Sequence, residues 1–193
     1  MRWITITALF TSGCVPHLES VAGQGKWSWD APENSWELTE PPDGTVGTGF
    51  NEGDTVPDFR LGDQLGDEVS LWQFYGDVIL LDISTVWCAP CQELAKETAA
   101  TYADYKDEGF TYITVLQEDV EGGKLDLDEV NQWVDAFGIV SPVLDDDSKA
   151  GTGAAISQGQ YPAVILINRK LKVVERINPP EDDVVRSAIE SIL

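Results

Sequence analysis

The chain has 193 residues, with 34 acidic against 12 basic side chains and a formal net charge of −22. That length suits one domain with appendages, long enough to bury a core without covalent staples. Nucleic acid and anionic lipid are disfavoured as direct partners because both require a basic face, so the acid excess reads as a solvated surface.

The N-terminus, MRWITITALFTSGC, reads as an export signal. Arg2 precedes an apolar segment from Trp3 to Phe10, and the small residues Ser12 and Gly13 lead into Cys14. The segment is too short to span a bilayer as a mature helix. Small residues before a cysteine resemble the bacterial lipobox. That resemblance implies that residues 1–14 are a lipoprotein-type signal and that Cys14 carries the lipid. Thr11 departs from it, since the motif usually has Leu there, and the leader is short. The alternatives are a secretory signal cleaved after Ala22, leaving a secreted soluble protein, or a buried structural cysteine at 14.

Residues 15–53 are expected to form a flexible tether. The stretch APENSWELTEPPDGTVGTGFNEGD is rich in Pro, Gly, Asn and acids and has no period that could bury a face. Trp27, Trp29 and Trp36 interrupt that pattern. They are expected to dock the segment onto the domain, with contact to a partner as the alternative.

The domain is expected over residues 54–193. VPDFRL and DEVSLWQFYGD predict a short hairpin and turn, and VILLDIS is the continuous apolar run of a central strand buried on both faces. Leu94, Ala95, Thr98, Tyr102 and Tyr105 then recur at helical spacing up to Gly109, a stop signal. FTYITVL predicts a second buried strand. In LDLDEVNQWVDAFG, residues Leu127, Val130, Trp133, Val134 and Phe137 share one helical face, with Gly138 as C-cap. An acidic loop and a Gly-rich segment follow. AVILIN and KVVERI then lie too close together for anything but a hairpin, and EDDVVRSAIESIL closes the chain as a helix with acids in its first turn. The order predicts an α/β sandwich with a mixed sheet.

Between the first buried strand and its helix stands the pair Cys88 and Cys91, in the run Trp87-Cys88-Ala89-Pro90-Cys91. With Cys14 these are the only cysteines, and His17 is the only histidine. A tetrahedral zinc site takes four Cys or His ligands, so no structural metal is expected; the lack of a second histidine also argues against copper delivery. A cysteine at a helix N-terminus meets unpaired N–H groups and the positive end of the dipole, which lowers its pKa. Cys88 is therefore the expected nucleophile. Cys91, one turn further along, is placed to attack the resulting mixed disulfide. Pro90 fits the first helical turn, where an N–H is not needed. The alternative is an inert disulfide, which would close too short a loop to remove much unfolded-state entropy.

The WCAPC run at a strand-to-helix junction, with Tyr161-Pro162 opening a later hairpin, resembles the thioredoxin fold. The lead-in GDTVPDFRL, the helix around Trp133 and the SPVLDDD loop make residues 53–193 more similar to exported thiol:disulfide oxidoreductases of the TlpA-like and ResA-like branch. That branch overlaps in sequence with the peroxiredoxin superfamily. The resemblance implies a thioredoxin-like three-layer sandwich, a mixed central sheet flanked by helices, and a redox-active Cys88–Cys91 disulfide with no other cofactor. It also implies protein dithiol or disulfide substrates, a membrane thiol carrier as electron donor, and a reductant facing the periplasm, held to its membrane by the lipid.

The same resemblance assigns further residues. Pro162 corresponds to the family's cis-proline, which packs beside the disulfide and exposes the backbone at Tyr161 to a substrate chain; an ordinary trans proline is the alternative. Asp82, six residues before Cys88, stands where thioredoxin carries a buried acid. An Asp inside VILLDIS is costly unless it is functional or hydrogen-bonded, to Ser84 or Thr85 for instance. Trp87, Ala89 and Pro90 shape the surface beside the pair. TVLQEDV has no lysine where thioredoxins carry one near the acid, so proton handling is expected to differ. Two other classes stay open. A peroxidase would use Cys88 against peroxide, with Thr85 three residues before it, although Leu81 replaces the proline expected there. A non-catalytic lipoprotein would use the fold for binding or assembly.

Overall fold

A computed structural model describes residues 34, 36–146 and 151–193. Among these residues seven strands form one sheet: β1 (Arg60–Asp63), β2 (Glu68–Ser70), β3 (Val78–Ser84), β4 (Phe110–Leu116), β5 (Val143–Asp145), β6 (Ala163–Ile167) and β7 (Val173–Ile177). Their spatial order is β2-β1-β5-β4-β3-β6-β7. The central pairs β3–β4 and β4–β5 are parallel, while β3–β6, β6–β7, β1–β2 and β1–β5 are antiparallel. Four α-helices accompany them: α1 (Ala89–Tyr105), α2 (Leu127–Phe137), α3 (Thr152–Ser157) and α4 (Asp182–Glu190).

The central strand β3 is buried along its whole length, as its mostly apolar run predicts, its polar members Asp82 and Ser84 included. Its side chains alternate between the two faces. Ile79, Leu81 and Ile83 join a cluster with Trp72, Ile113, Ile156 and Ile165. Val78 and Leu80 join the opposite cluster with Leu94 and Tyr105 of α1 and with Val185 and Ile189 of α4. By the same alternation Asp82 and Ser84 face the α1 side. That side continues into a third cluster, where Cys91, Ala95 and Leu116 meet Val130 and Trp133 of α2. The result is a mixed sheet with helices on both faces, the three-layer arrangement the sequence predicts.

Helix α1 forms because its buried residues Cys91, Leu94, Ala95, Thr98, Thr101 and Tyr105 recur at three and four positions. It passes through one 3-10 turn and stops at Gly109, whose φ of 75° suits glycine. A side chain there would also collide with Arg169, whose Nη1 donates to the carbonyls of Gly76 and Gly109 at 3.1 Å each. Helix α2 ends as expected at left-handed Gly138, and a reciprocal Asp126–Glu129 capping box opens it. Leu127, expected on its buried face, is instead exposed in the first turn.

Two elements, β5 and α3, lie where the sequence predicts only loop. The strand is three residues long, paired to β4 and β1; the helix has six residues and starts where the Gly153 N–H donates to Asp146 Oδ2 at 2.6 Å. Both depend on distant partners, so neither shows a hydrophobic period.

Part of the expected tether lies against the domain. The Trp36 indole packs on the β-sheet cluster and donates to Asp63 Oδ2 at 2.7 Å, the Thr39 N–H donates to the Gln73 carbonyl at 2.8 Å, and the Gly53 N–H donates to the Val173 carbonyl at 2.8 Å. Cys14, Trp27 and Trp29 lie outside the described residues. Among the described residues no helix is long and apolar enough to cross a membrane.

Candidate functional site

Parallel pairing of β3 and β4 continues past the strand ends and fixes the entry to α1. The Gln117 N–H donates to the Ser84 carbonyl at 3.0 Å, and the Val86 N–H donates to the Glu118 carbonyl at 2.9 Å. The chain then turns, with the Cys88 N–H on the Thr85 carbonyl at 3.2 Å. Cys88 is the N-cap of α1: its Sγ accepts the Cys91 N–H at 3.2 Å, in the role usually taken by a Ser or Asp oxygen. Pro90 occupies the first turn without loss. Gln92 closes the turn by donating Nε2 to the Val86 carbonyl at 2.8 Å.

Cys88 and Cys91 are joined in a disulfide with Cα atoms 5.2 Å apart. Ala89 and Pro90 are exposed, Cys88 lies just beneath them at 3% exposure, and Cys91 is fully buried. The pair is therefore graded in depth. Cys88 is the nearer of the two to solvent, while Cys91 faces the α1 core beside Ala95 and Leu116. An N–H aimed at an N-cap atom and the positive end of a helix dipole are the features that favour a thiolate at such a position.

Asp82 is completely buried on the sheet face that α1 covers. Its register neighbours are Thr114 on β4 and Val164 on β6. Oδ1 accepts the Ser84 hydroxyl at 2.7 Å, whereas Oδ2 has no hydrogen-bond partner among the described residues. The buried Thr114 and Thr85 hydroxyls are likewise unpartnered, so Ser84 alone fulfils the hydrogen-bonding expectation for this carboxylate. Burial pushes the Asp82 carboxyl up to about 7, against the smaller downward pull of the Ser84 hydrogen bond.

A third group forms the rim. Trp87 is 46% exposed, its indole N–H donates to Glu118 Oε2 at 2.8 Å, and its ring meets that of Tyr161 edge-on with centroids 5.9 Å apart. The Tyr161–Pro162 peptide is cis, as is Asn178–Pro179, which the sequence reading did not single out. Since Ile83 pairs with Ala163 across β3 and β6, Pro162 lies one step beyond, beside the start of the motif loop. The Tyr161 hydroxyl donates to Gln117 Oε1 at 2.7 Å. Gln117 and Glu118 were missed as site residues. The available signal was a pair of polar residues ending an otherwise apolar strand, and it was read only for its missing lysine.

The AhpC/TSA family model matches residues 53–176. The thioredoxin-like protein YneN of Bacillus subtilis is 25% identical over 122 residues, covering 63% of this chain and 68% of that protein. The thiol-disulfide oxidoreductase ResA of Halalkalibacterium halodurans is 26% identical over 125 residues, covering 64% and 66% of the two chains. In three dimensions the thioredoxin domain of a thiol-disulfide oxidoreductase from Bacteroides vulgatus superposes with a TM-score of 0.63 at 20% identity, covering 73% of this chain and 96% of that domain.

The raised carboxyl has a consequence for stability. Well below 3.8 Asp82 is protonated in both folded and unfolded chains, and its ionisation does not enter the stability. As pH rises the unfolded chain ionises first, at the ordinary value of 3.8, so stability falls until the folded carboxyl ionises near 7 and then levels off. Asp82→Asn cannot ionise. Between pH 4 and pH 8 the stability difference should shift in favour of the variant, by on the order of 4 kcal/mol at about 1.4 kcal/mol per pKa unit. Urea unfolding of the oxidised protein at both pH values measures it; a difference that does not change with pH contradicts the raised carboxyl.

Proposed function

Since the chain belongs to the AhpC/TSA family and is a thiol-disulfide oxidoreductase of thioredoxin-like type, we propose that it reduces protein disulfides outside the cytoplasm while held at a membrane by lipid on Cys14. The observation that carries the reading is the graded pair: Cys88 capping α1 just under the surface, Cys91 buried behind it, and Asp82 buried on the same side of the sheet.

The exchange follows from those positions. In the reduced protein the Cys88 thiolate attacks one sulfur of a substrate disulfide, forming a mixed disulfide and expelling the first substrate thiolate, which takes a proton from solvent. The Cys91 thiol passes its proton to the Asp82 carboxylate, through a water where the two do not touch, and the Cys91 thiolate attacks Cys88 Sγ. The second substrate thiolate leaves, the substrate has gained two electrons, and the protein carries the Cys88–Cys91 disulfide. A carboxyl that titrates near 7 suits this role, because it is partly ionised at neutral pH and holds the proton once it has accepted it. The reduced pair is regenerated by a dithiol donor, for which a membrane thiol carrier is the proposed source. Pro162 and the Tyr161 backbone supply the edge beside which the substrate chain lies.

A thiol peroxidase is the second reading, favoured by the family match and by Thr85 at the start of the motif loop. There Cys88 would attack peroxide and Cys91 would close the disulfide. Cys88→Ser should abolish reduction of insulin disulfides, and Cys91→Ser should retain attack but accumulate mixed disulfides, seen as slower non-reducing gel species. Rapid peroxide consumption with inert insulin would transfer the assignment to the peroxidase, and a pair unreactive to both would leave a binding module.

Cys14 lies outside the described residues, so its lipid rests on the motif in the leader. Incorporation of a labelled fatty acid should mark the wild-type protein in the membrane fraction and be lost in Cys14→Ala. Equal labelling of the two removes the anchor from the account.

A further inference from the structure

Two consecutive residues at the end of β4 hold the two aromatic rings of the rim. Glu118 receives the Trp87 indole N–H, and Gln117 receives the Tyr161 hydroxyl. The rings then meet each other at 87°, so strand end, tryptophan and tyrosine close into a bracket beside Cys88. The backbone of the same two residues carries the bracket on the motif loop, through the Gln117 N–H to Ser84 and the Glu118 carbonyl to Val86.

Gln117 is itself held from behind. It is 3% exposed, and its Oε1 also lies 3.4 Å from the Ser157 hydroxyl at the end of α3. That hydroxyl in turn accepts the Gly159 N–H at 3.3 Å, in the loop that leads to Tyr161. Space for the amide is provided by Gly153, where a Cβ would sit 2.5 Å from Gln117 Cδ. A buried amide with this packing has little rotational freedom, and a hydroxyl bonded to it fixes the tyrosine ring.

Resting on the oxidoreductase reading above, we propose that Gln117 is a positioning residue for polypeptide substrates. By holding Tyr161 against Trp87 it keeps the rim in the shape that receives the residues flanking a substrate cysteine. A polypeptide disulfide must lay its chain across this rim and beside Tyr161–Pro162 before sulfur meets sulfur. Glutathione disulfide has only short arms and makes far less use of the rim. Pre-ordering therefore lowers the KM for polypeptides and leaves kcat to the cysteines.

Gln117→Leu removes the acceptor, Tyr161→Phe removes the donor while keeping the ring, and the double variant removes both. The readout is kcat/KM for insulin reduction divided by that for glutathione disulfide, with far-UV circular dichroism and thermal unfolding as fold controls. Each single variant should lower this ratio by about 3- to 10-fold through KM, the worth of one hydrogen bond, and the double should lower it no further than the more affected single. If Gln117→Leu does not fold, Tyr161→Phe and its KM shift alone decide. A ratio unmoved in folded variants, effects that add in the double variant, or equal losses on both substrates overturn the proposal. A wild-type protein that reduces neither substrate defeats the oxidoreductase reading, and the positioning role falls with it.

Discussion

The arrangement depends on one hydrogen bond, from the Cys91 N–H to the sulfur of Cys88. It makes a cysteine the cap of α1, and a cap sits by definition where helix N–H groups are unpaired and the dipole is positive. A thiolate is favoured at such a position, and on the proposed reading the first cysteine uses it, while the second, a turn further along, is carried into the core. The three-residue spacing sets the difference in depth. The strand and helix on either side only have to hold that turn in place, which the extended β3–β4 pairing does.

Cys91 is buried, and on the proposed mechanism its proton goes to a carboxyl that the sheet holds at a cost. Asp82 interrupts an otherwise apolar strand whose neighbours on the same face pack against α1 and α4. One Ser84 hydroxyl falls well short of compensating the desolvation, and the carboxyl titrates near neutrality instead of near 4. Ionised Asp82 opposes folding at neutral pH and above. Persistence of such a group in the middle of the central strand is the pattern of a strained functional site, where a local rule is broken and the surrounding structure compensates.

What could be read from the sequence was what local pattern encodes. The largely apolar runs of β3 and β4, the periodic faces of α1 and α2, and the close β6–β7 hairpin are all legible in the sequence. Asp82 was visible because an acid in an apolar run violates its surroundings, and Cys88 and Cys91 because their spacing is a helical turn. The β5 strand and α3 were not visible, since three and six residues held by partners such as Asp146 leave no period to detect. Nor was the Gln117–Tyr161 bond, which joins residues 44 apart in the chain. Trp36 docks the segment as its aromatic ring suggests, but its partner Asp63, 27 positions away, could not be read from a stretch whose composition reads as flexible.

On the proposed mechanism Asp82 takes the proton from Cys91 while Cys88 makes the first attack. An aromatic disulfide with a chromophoric leaving group separates the two steps, because the first equivalent of thiolate reports attack by Cys88 and the second reports resolution by Cys91. Stopped-flow measurement of both phases from pH 5 to pH 9 in wild type and Asp82→Asn is the most direct test. The account predicts a first phase little changed by the substitution. The second phase should rise with pH through a midpoint near 7 in wild type and be slower by about 10²-fold in Asp82→Asn, without that midpoint. A second phase equally fast and equally pH-dependent in both proteins would contradict it and leave Asp82 as a structural residue.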